Sequence, residues 1–136
     1  MLNIICGGTL HQHIPDLVGH DGHGGLVGTG YGTHKVRVTG GSVVKSILPG
    51  GEFFEVSTYH HQAVDIVGAG LTAVAWADDG IIEGIESTTP GEFLIGVQWH
   101  PEQGTDPRLF LALAAAAEMR YSERTVSSFP PLLAGA

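Results

Sequence analysis

Apolar positions along the chain fall in short blocks punctuated by glycine. Within residues 93–102 (FLIGVQWHPE), Leu94, Ile95 and Val97 form a run typical of a strand buried on both faces of a parallel sheet. Residues 34–39 (HKVRVT) and 52–58 (EFFEVST) also predict strands. Residues 71–77 (LTAVAWA) predict another, Asp78-Asp79-Gly80 a hairpin turn, and residues 81–86 (IIEGIE) the antiparallel partner. Between the first two strands, Ser42 caps a short helix to about Leu48, which Pro49-Gly50-Gly51 breaks. Residues 1–6 read as an apolar helical end stopped by Gly7-Gly8, followed by an extended or loop exit over 9–12. Residues 88–92 form a loop. Asp106-Pro107 supplies an N-cap and first-turn proline for a helix reaching about Tyr121. The final SSFPPLLAGA has no period, so the chain divides into a domain at 1–121 and a loosely ordered tail at 122–136.

Residues 11–33 read as one long glycine-dominated loop carrying His11, His13, His20 and His23. These histidines, with Asp16 and Asp21, set no ligand geometry, and neither a metal nor a cofactor is expected. Residues 28–32 (GTGYG) lack the Lys-Ser/Thr and the preceding strand of a phosphate loop. A net charge of −8 argues against a nucleic-acid partner, so Trp76 and Trp99 are core or pocket wall rather than base-stacking platforms. Asp65, Asp78 and Asp79 read as turn and surface charges. The single cysteine excludes an internal disulfide. With no apolar run of spanning length and no signal-like start, a cytoplasmic protein without membrane contact is expected.

Polar chemistry begins abruptly after the apolar run, at Gln98, His100 and Glu102. Sites in open α/β sheets form beyond the carboxyl ends of strands. Pro101 restricts His100 to extended backbone, and Glu102 is near enough to fix the imidazole tautomer, leaving the other nitrogen as a base. Cys6 is a weak nucleophile candidate. It has no preceding strand, its neighbours are apolar, and it reads better as a small buried hydrophobe.

GVQWHPE, TYHHQAV and LNIICGGTLHQHIPD occur in an order that resembles the class I glutamine amidotransferase-like superfamily, and more closely its γ-glutamyl-γ-aminobutyrate hydrolase-type peptidases. The likeness runs from about Leu2 to about Met119. It implies an α/β fold: a flavodoxin-like three-layer sandwich with a mainly parallel sheet, present as a partial domain, with the 71–86 hairpin added at the sheet edge. It also implies a Cys–His–Glu triad in which His100 is the base and Glu102 its orienter. Thr58, Tyr59, His60 and Gln62 would line the pocket for a small γ-glutamyl substrate. The nucleophile elbow of that family has the form G-x-C-x-G-x-Q and would place its cysteine about five positions before Met1.

The expected function is therefore thiol-dependent hydrolysis of γ-glutamyl amides, with the 136 residues alone inactive. One alternative is a glutaminase domain passing ammonia to a synthase. Another is a catalytically inactive fragment or binding-only remnant. An apolar sheet edge left by the partial domain is expected to favour homo-oligomerisation or association with an N-terminal half.

Overall fold

The computed structural model describes residues 1–24 and 30–127. Among these, seven strands form one sheet: β1 (Leu10–His11), β2 (Gly32–Val38), β3 (Phe53–Thr58), β4 (Ala63–Val64), β5 (Leu71–Ala77), β6 (Ile82–Ser87) and β7 (Ile95–Val97). Four helices accompany it: α1 (Leu2–Ile5), α2 (Ile14–Val18), α3 (Val43–Ile47) and α4 (Arg108–Ser127). The strand order is β1-β4-β6-β5-β2-β3, with β7 also paired to β6.

Every strand pairing described is antiparallel, which corrects the expectation of a mainly parallel sheet. For the β5–β6 and β6–β7 pairs, connection length is the physical reason. A parallel pair needs a crossover of about a dozen residues or more, usually through a helix. β5 and β6 are joined by a tight turn, and β6 reaches β7 through the short loop ahead of Ile95. The β5–β6 hairpin lies in the middle of the sheet rather than at its edge. β7 is half-buried, not buried on both faces, because it is a three-residue strand paired with β6.

Among the described residues, the expected loop over residues 11–33 holds the end of β1, the helix α2 and the start of β2. Pro15 lies in the first turn of α2, and Gly19 ends it in the left-handed conformation at φ +78°. The region 25–29, which includes part of the GTGYG stretch, lies outside the described residues. Helix α4 runs past Tyr121 to Ser127, since no glycine or proline interrupts it before Pro130. Asp106 caps it by accepting from the Arg108 N–H at 3.1 Å. The rest of the tail, residues 128–136, lies outside the described residues.

The main core gathers Val36, Val38, Val44, Leu48, Val74, Ala75 and Trp99, with Leu109 of α4 packed against it. A second cluster joins Ile14, Ala63, Ala77 and Ile81. Helix α3 is only one turn long, yet its N-terminus is well satisfied. Ser42 Oγ accepts from Lys45 N–H, and the buried Glu86 carboxylate accepts from Val43 and Val44 N–H at 3.1 and 3.2 Å.

The register of β5 against β6 shifts twice. Ala73 faces Ile85, Ala75 faces Gly84, and Trp76 faces Ile82. Val74 and Glu83 are thus skipped in the pairing, as in β-bulges, which redirect a side chain. Glu83 points into the interior and is 1% exposed.

Candidate functional site

β7 leads directly to the polar segment, and Trp99 anchors it. Trp99 is buried in the main core, so its neighbour His100 is held at the rim. The His100 backbone N–H donates to the Ser57 carbonyl of β3 at 2.9 Å. Pro101 opens a short 3-10 turn over Pro101–Gln103, leaving His100 at φ −105°, ψ 83°. His100 Nδ1 and Glu102 Oε1 are 2.6 Å apart. An ionised carboxylate only accepts, so Nδ1 carries the proton and Nε2 carries the basic lone pair. The hydrogen bond from His100 holds the Glu102 carboxyl below its ordinary range. Tyr31 packs edge-on against the imidazole, with ring centres 5.1 Å apart. A cavity of about 190 Å³ opens beside His100, walled by Thr33, Ser57, Trp99, Pro101 and Leu109 among others.

The residues of the TYHHQ segment divide. Tyr59 is exposed, its ring 5.2 Å from Tyr31, so Tyr31 bridges it to His100. Tyr59, His61, Gln62 and Gln98 border a second depression, where Gln62 Nε2 donates to Gln12 Oε1 at 2.7 Å. Thr58 is wholly buried and its hydroxyl donates to the His23 carbonyl, so it fixes a loop instead of facing a cleft. His60 is 8% exposed and directs Nε2 inward to Glu83 at 3.2 Å. His60 also borders the depression shared by Tyr59, His61 and Gln62, whereas the Thr58 hydroxyl is turned to the interior.

Cys6 follows α1 and packs against the loop before β5. Its carbonyl accepts from Ala69 N–H, and its Cβ lies so near Gly68 that a methyl there would approach within 2.7 Å. This places it on elements other than those holding His100.

The structure also holds a buried cluster that the sequence pattern does not show. His23, His34, His60 and Glu83 bring one ligand atom each within 4.8 Å of one another. Of the four loop histidines weighed from the sequence, only His23 joins it. Burial opposes charge on His23, but hydrogen bonds to Glu83 and Asp79 outweigh it and hold its pKa above the ordinary value. Burial likewise opposes ionisation of Glu83, and hydrogen bonds from His23 and His60 override it, so its pKa is lowered. For His34 burial prevails and the pKa falls. The available sequence signal was a glutamate inside the apolar run of IIEGIE.

Among the described residues, no helix is long and apolar enough to cross a membrane. Residues 1–102 match the peptidase C26 family. A Mycobacterium tuberculosis protein provisionally named a glutamine amidotransferase is 47% identical over 120 residues, covering 86% of this chain and 37% of that protein. The γ-glutamyl-γ-aminobutyrate hydrolase PuuD of Escherichia coli is 34% identical over 106 residues, covering 74% and 41% respectively. A crystal structure of a Thermotoga maritima glutamine amidotransferase superposes with a TM-score of 0.52 at 19% identity, covering 89% of this chain and 45% of that one. A Thermoplasma acidophilum protein provisionally named as part of a GMP synthase gives 0.62 at 16% identity, covering 90% and 55%. These similarities establish an α/β, flavodoxin-like relationship even though the strands present pair antiparallel. The chain spans less than half the length of the curated relatives named here, and it belongs to the peptidase C26 family.

Proposed function

We propose that this chain carries the base half of a thiol-dependent hydrolase acting on γ-glutamyl amides. The 2.6 Å contact between His100 Nδ1 and Glu102 Oε1 at the end of β7 is the observation that supports it. His100 Nε2 would take the proton from a cysteine thiol, and the thiolate would attack the γ-glutamyl amide carbon. As the C–N bond breaks, the imidazolium returns that proton to the leaving amine. Water, deprotonated by His100, then releases glutamate from the thioester. Glu102 holds the tautomer throughout and offsets the imidazolium charge.

The placement of Cys6 leads us to assign the thiol to a part of the domain beyond these residues. Glutamine hydrolysis that feeds ammonia to a synthase is a second reading, favoured by the naming of the mycobacterial relative. The decisive assay uses a full-length protein that contains this sequence, with γ-glutamyl-γ-aminobutyrate and glutamine as separate substrates. His100→Ala should abolish turnover, Glu102→Gln should lower kcat by about 100-fold or more, and Cys6→Ala should leave it unchanged. Turnover of glutamine alone, dependent on an added synthase, would favour the second reading. Full activity in His100→Ala would overturn both.

A further inference from the structure

The four residues His23, His34, His60 and Glu83 come from separate parts of the fold: the loop after α2, β2, the β3–β4 link and β6. His60 Nδ1 lies 2.9 Å from the Gln62 carbonyl oxygen, which can only accept. The proton of neutral His60 is therefore on Nδ1, and its Nε2 lone pair faces inward. His23 repeats the pattern in reverse. Its Nε2 lies 2.8 Å from Asp79 Oδ2, which fixes the outer proton there and turns Nδ1 inward. Asp79 also stands 3.4 Å from His20 Nε2.

Three acceptors then converge. His23 Nδ1 and His60 Nε2 are 3.2 Å apart, and each is 3.2 Å from Glu83 Oε1. His34 Nε2 stands 3.5 Å from the same oxygen. With both imidazoles neutral, lone pairs meet at these distances in a buried site, and a proton or a metal ion must lie between them. Protonation of His23 or His60 satisfies its contact with Glu83 Oε1 and nothing further. It leaves both nitrogens of His34 and Glu83 Oε2, all buried, without a hydrogen-bond partner.

A divalent metal would engage one nitrogen of His34 together with His23 Nδ1, His60 Nε2 and the Glu83 carboxylate. Zinc bonds of ~2.05 Å in a tetrahedron separate neighbouring ligand atoms by about 3.3 Å, close to the four distances above. Imidazole suits zinc and its neighbours in the first transition row, and a buried carboxylate supplies charge compensation. The Asp79–His23 hydrogen bond is the outer support that orients a metal-bound imidazole. We propose that His23, His34, His60 and Glu83 form a four-coordinate structural site for a divalent transition metal of the zinc type, with Asp79 orienting His23. All four positions belong to protein, so the site is closed and does no chemistry on substrate. Its effect is to fasten the His23 loop to three strands or strand ends.

The purified protein, stripped with chelator, is titrated with Zn2+ alone against a chromophoric competitor, and separately with Co2+. One equivalent of Zn2+ and the intense visible bands of four-coordinate Co2+ are expected. His23→Ala should weaken Zn2+ affinity by at least about 100-fold, and Asp79→Asn by about 10-fold or more. Asp79→Asn lies at an exposed turn and retains an oxygen for Ile81 N–H, so it keeps the test valid if His23→Ala fails to fold. Combined replacement of His11, His13 and His61 by alanine should leave affinity unchanged. The proposal is overturned by absence of stoichiometric binding, by the weak spectrum of six-coordinate Co2+, or by affinity lost only in that triple variant.

Discussion

Asn3 is the one buried residue of α1, and its side chain connects three separate backbone groups. Its Nδ2 donates to the Thr9 and Ile66 carbonyls, both at 2.9 Å, while Oδ1 accepts from Gly68 N–H at 2.8 Å. Asn3→Ala removes all three bonds and leaves the buried Gly68 N–H without that partner. Each bond contributes about 0.5–1.5 kcal/mol net, and an orphaned buried donor costs about 1–3 kcal/mol. The expected loss is about 3 kcal/mol, equivalent to a drop in Tm of about 10 °C at this chain length. Urea unfolding followed by tryptophan fluorescence measures it directly. Ile5→Ala, at an exposed position of the same helix, should change stability by less than about 0.5 kcal/mol. Asn3→Asp should be at least as harmful as alanine, because a carboxylate cannot donate to the two carbonyls. A loss below about 1 kcal/mol for Asn3→Ala, or an Asn3→Asp variant as stable as the parent, would refute the assignment of this side chain as the clamp.

Two further outcomes follow from the geometry. A Cβ at Gly84 would lie 2.8 Å from the Ala75 methyl across the β5–β6 pair, so Gly84→Ala should destabilise by about 1–3 kcal/mol; combining it with Ala75→Gly should recover part of that loss in the same urea assay. The hydrogen bond from Arg108 holds the Asp106 carboxyl below its ordinary value of 3.8, so its contribution to capping α4 is complete above that value and disappears as pH falls through the lower folded pKa; acid titration of helicity by circular dichroism should show this component, and Asp106→Asn should remove it.

The dyad was legible because its parts are adjacent in sequence. A short apolar strand, a tryptophan that the core must take, a proline and a glutamate two residues from a histidine determine one another's positions locally. Sheet direction was not legible from the same run, because Leu94–Ile95 would suit a buried strand of either sense. Loop lengths carried that information: the link from β6 to β7 is too short for a crossover. The buried cluster was illegible for a different reason. Its members are brought together by pairings between distant segments and by a bulge at Glu83, neither of which has a periodic signature. Asn3 was hidden among apolar neighbours, although a lone amide in LNII marks a place where buried backbone needs a partner. Thr58 and His60 show the limit of residue type as a guide: polar side chains at a strand end can serve the interior as readily as a ligand.

The order of strands also sets an order of assembly. β5, β6 and β7 follow one another along the chain and pair in that sequence, and β2 and β3 form a second local pair. β1, by contrast, pairs residue 10 with residue 64 over only two positions, so closing it encloses a long stretch of chain for little reward. The local meander therefore forms early, and the segment through β1 joins late. In native-state hydrogen exchange, protection should be deepest in β5 and β6 and shallowest in β1, and the amino-terminal arm should open without disturbing the backbone that carries His100.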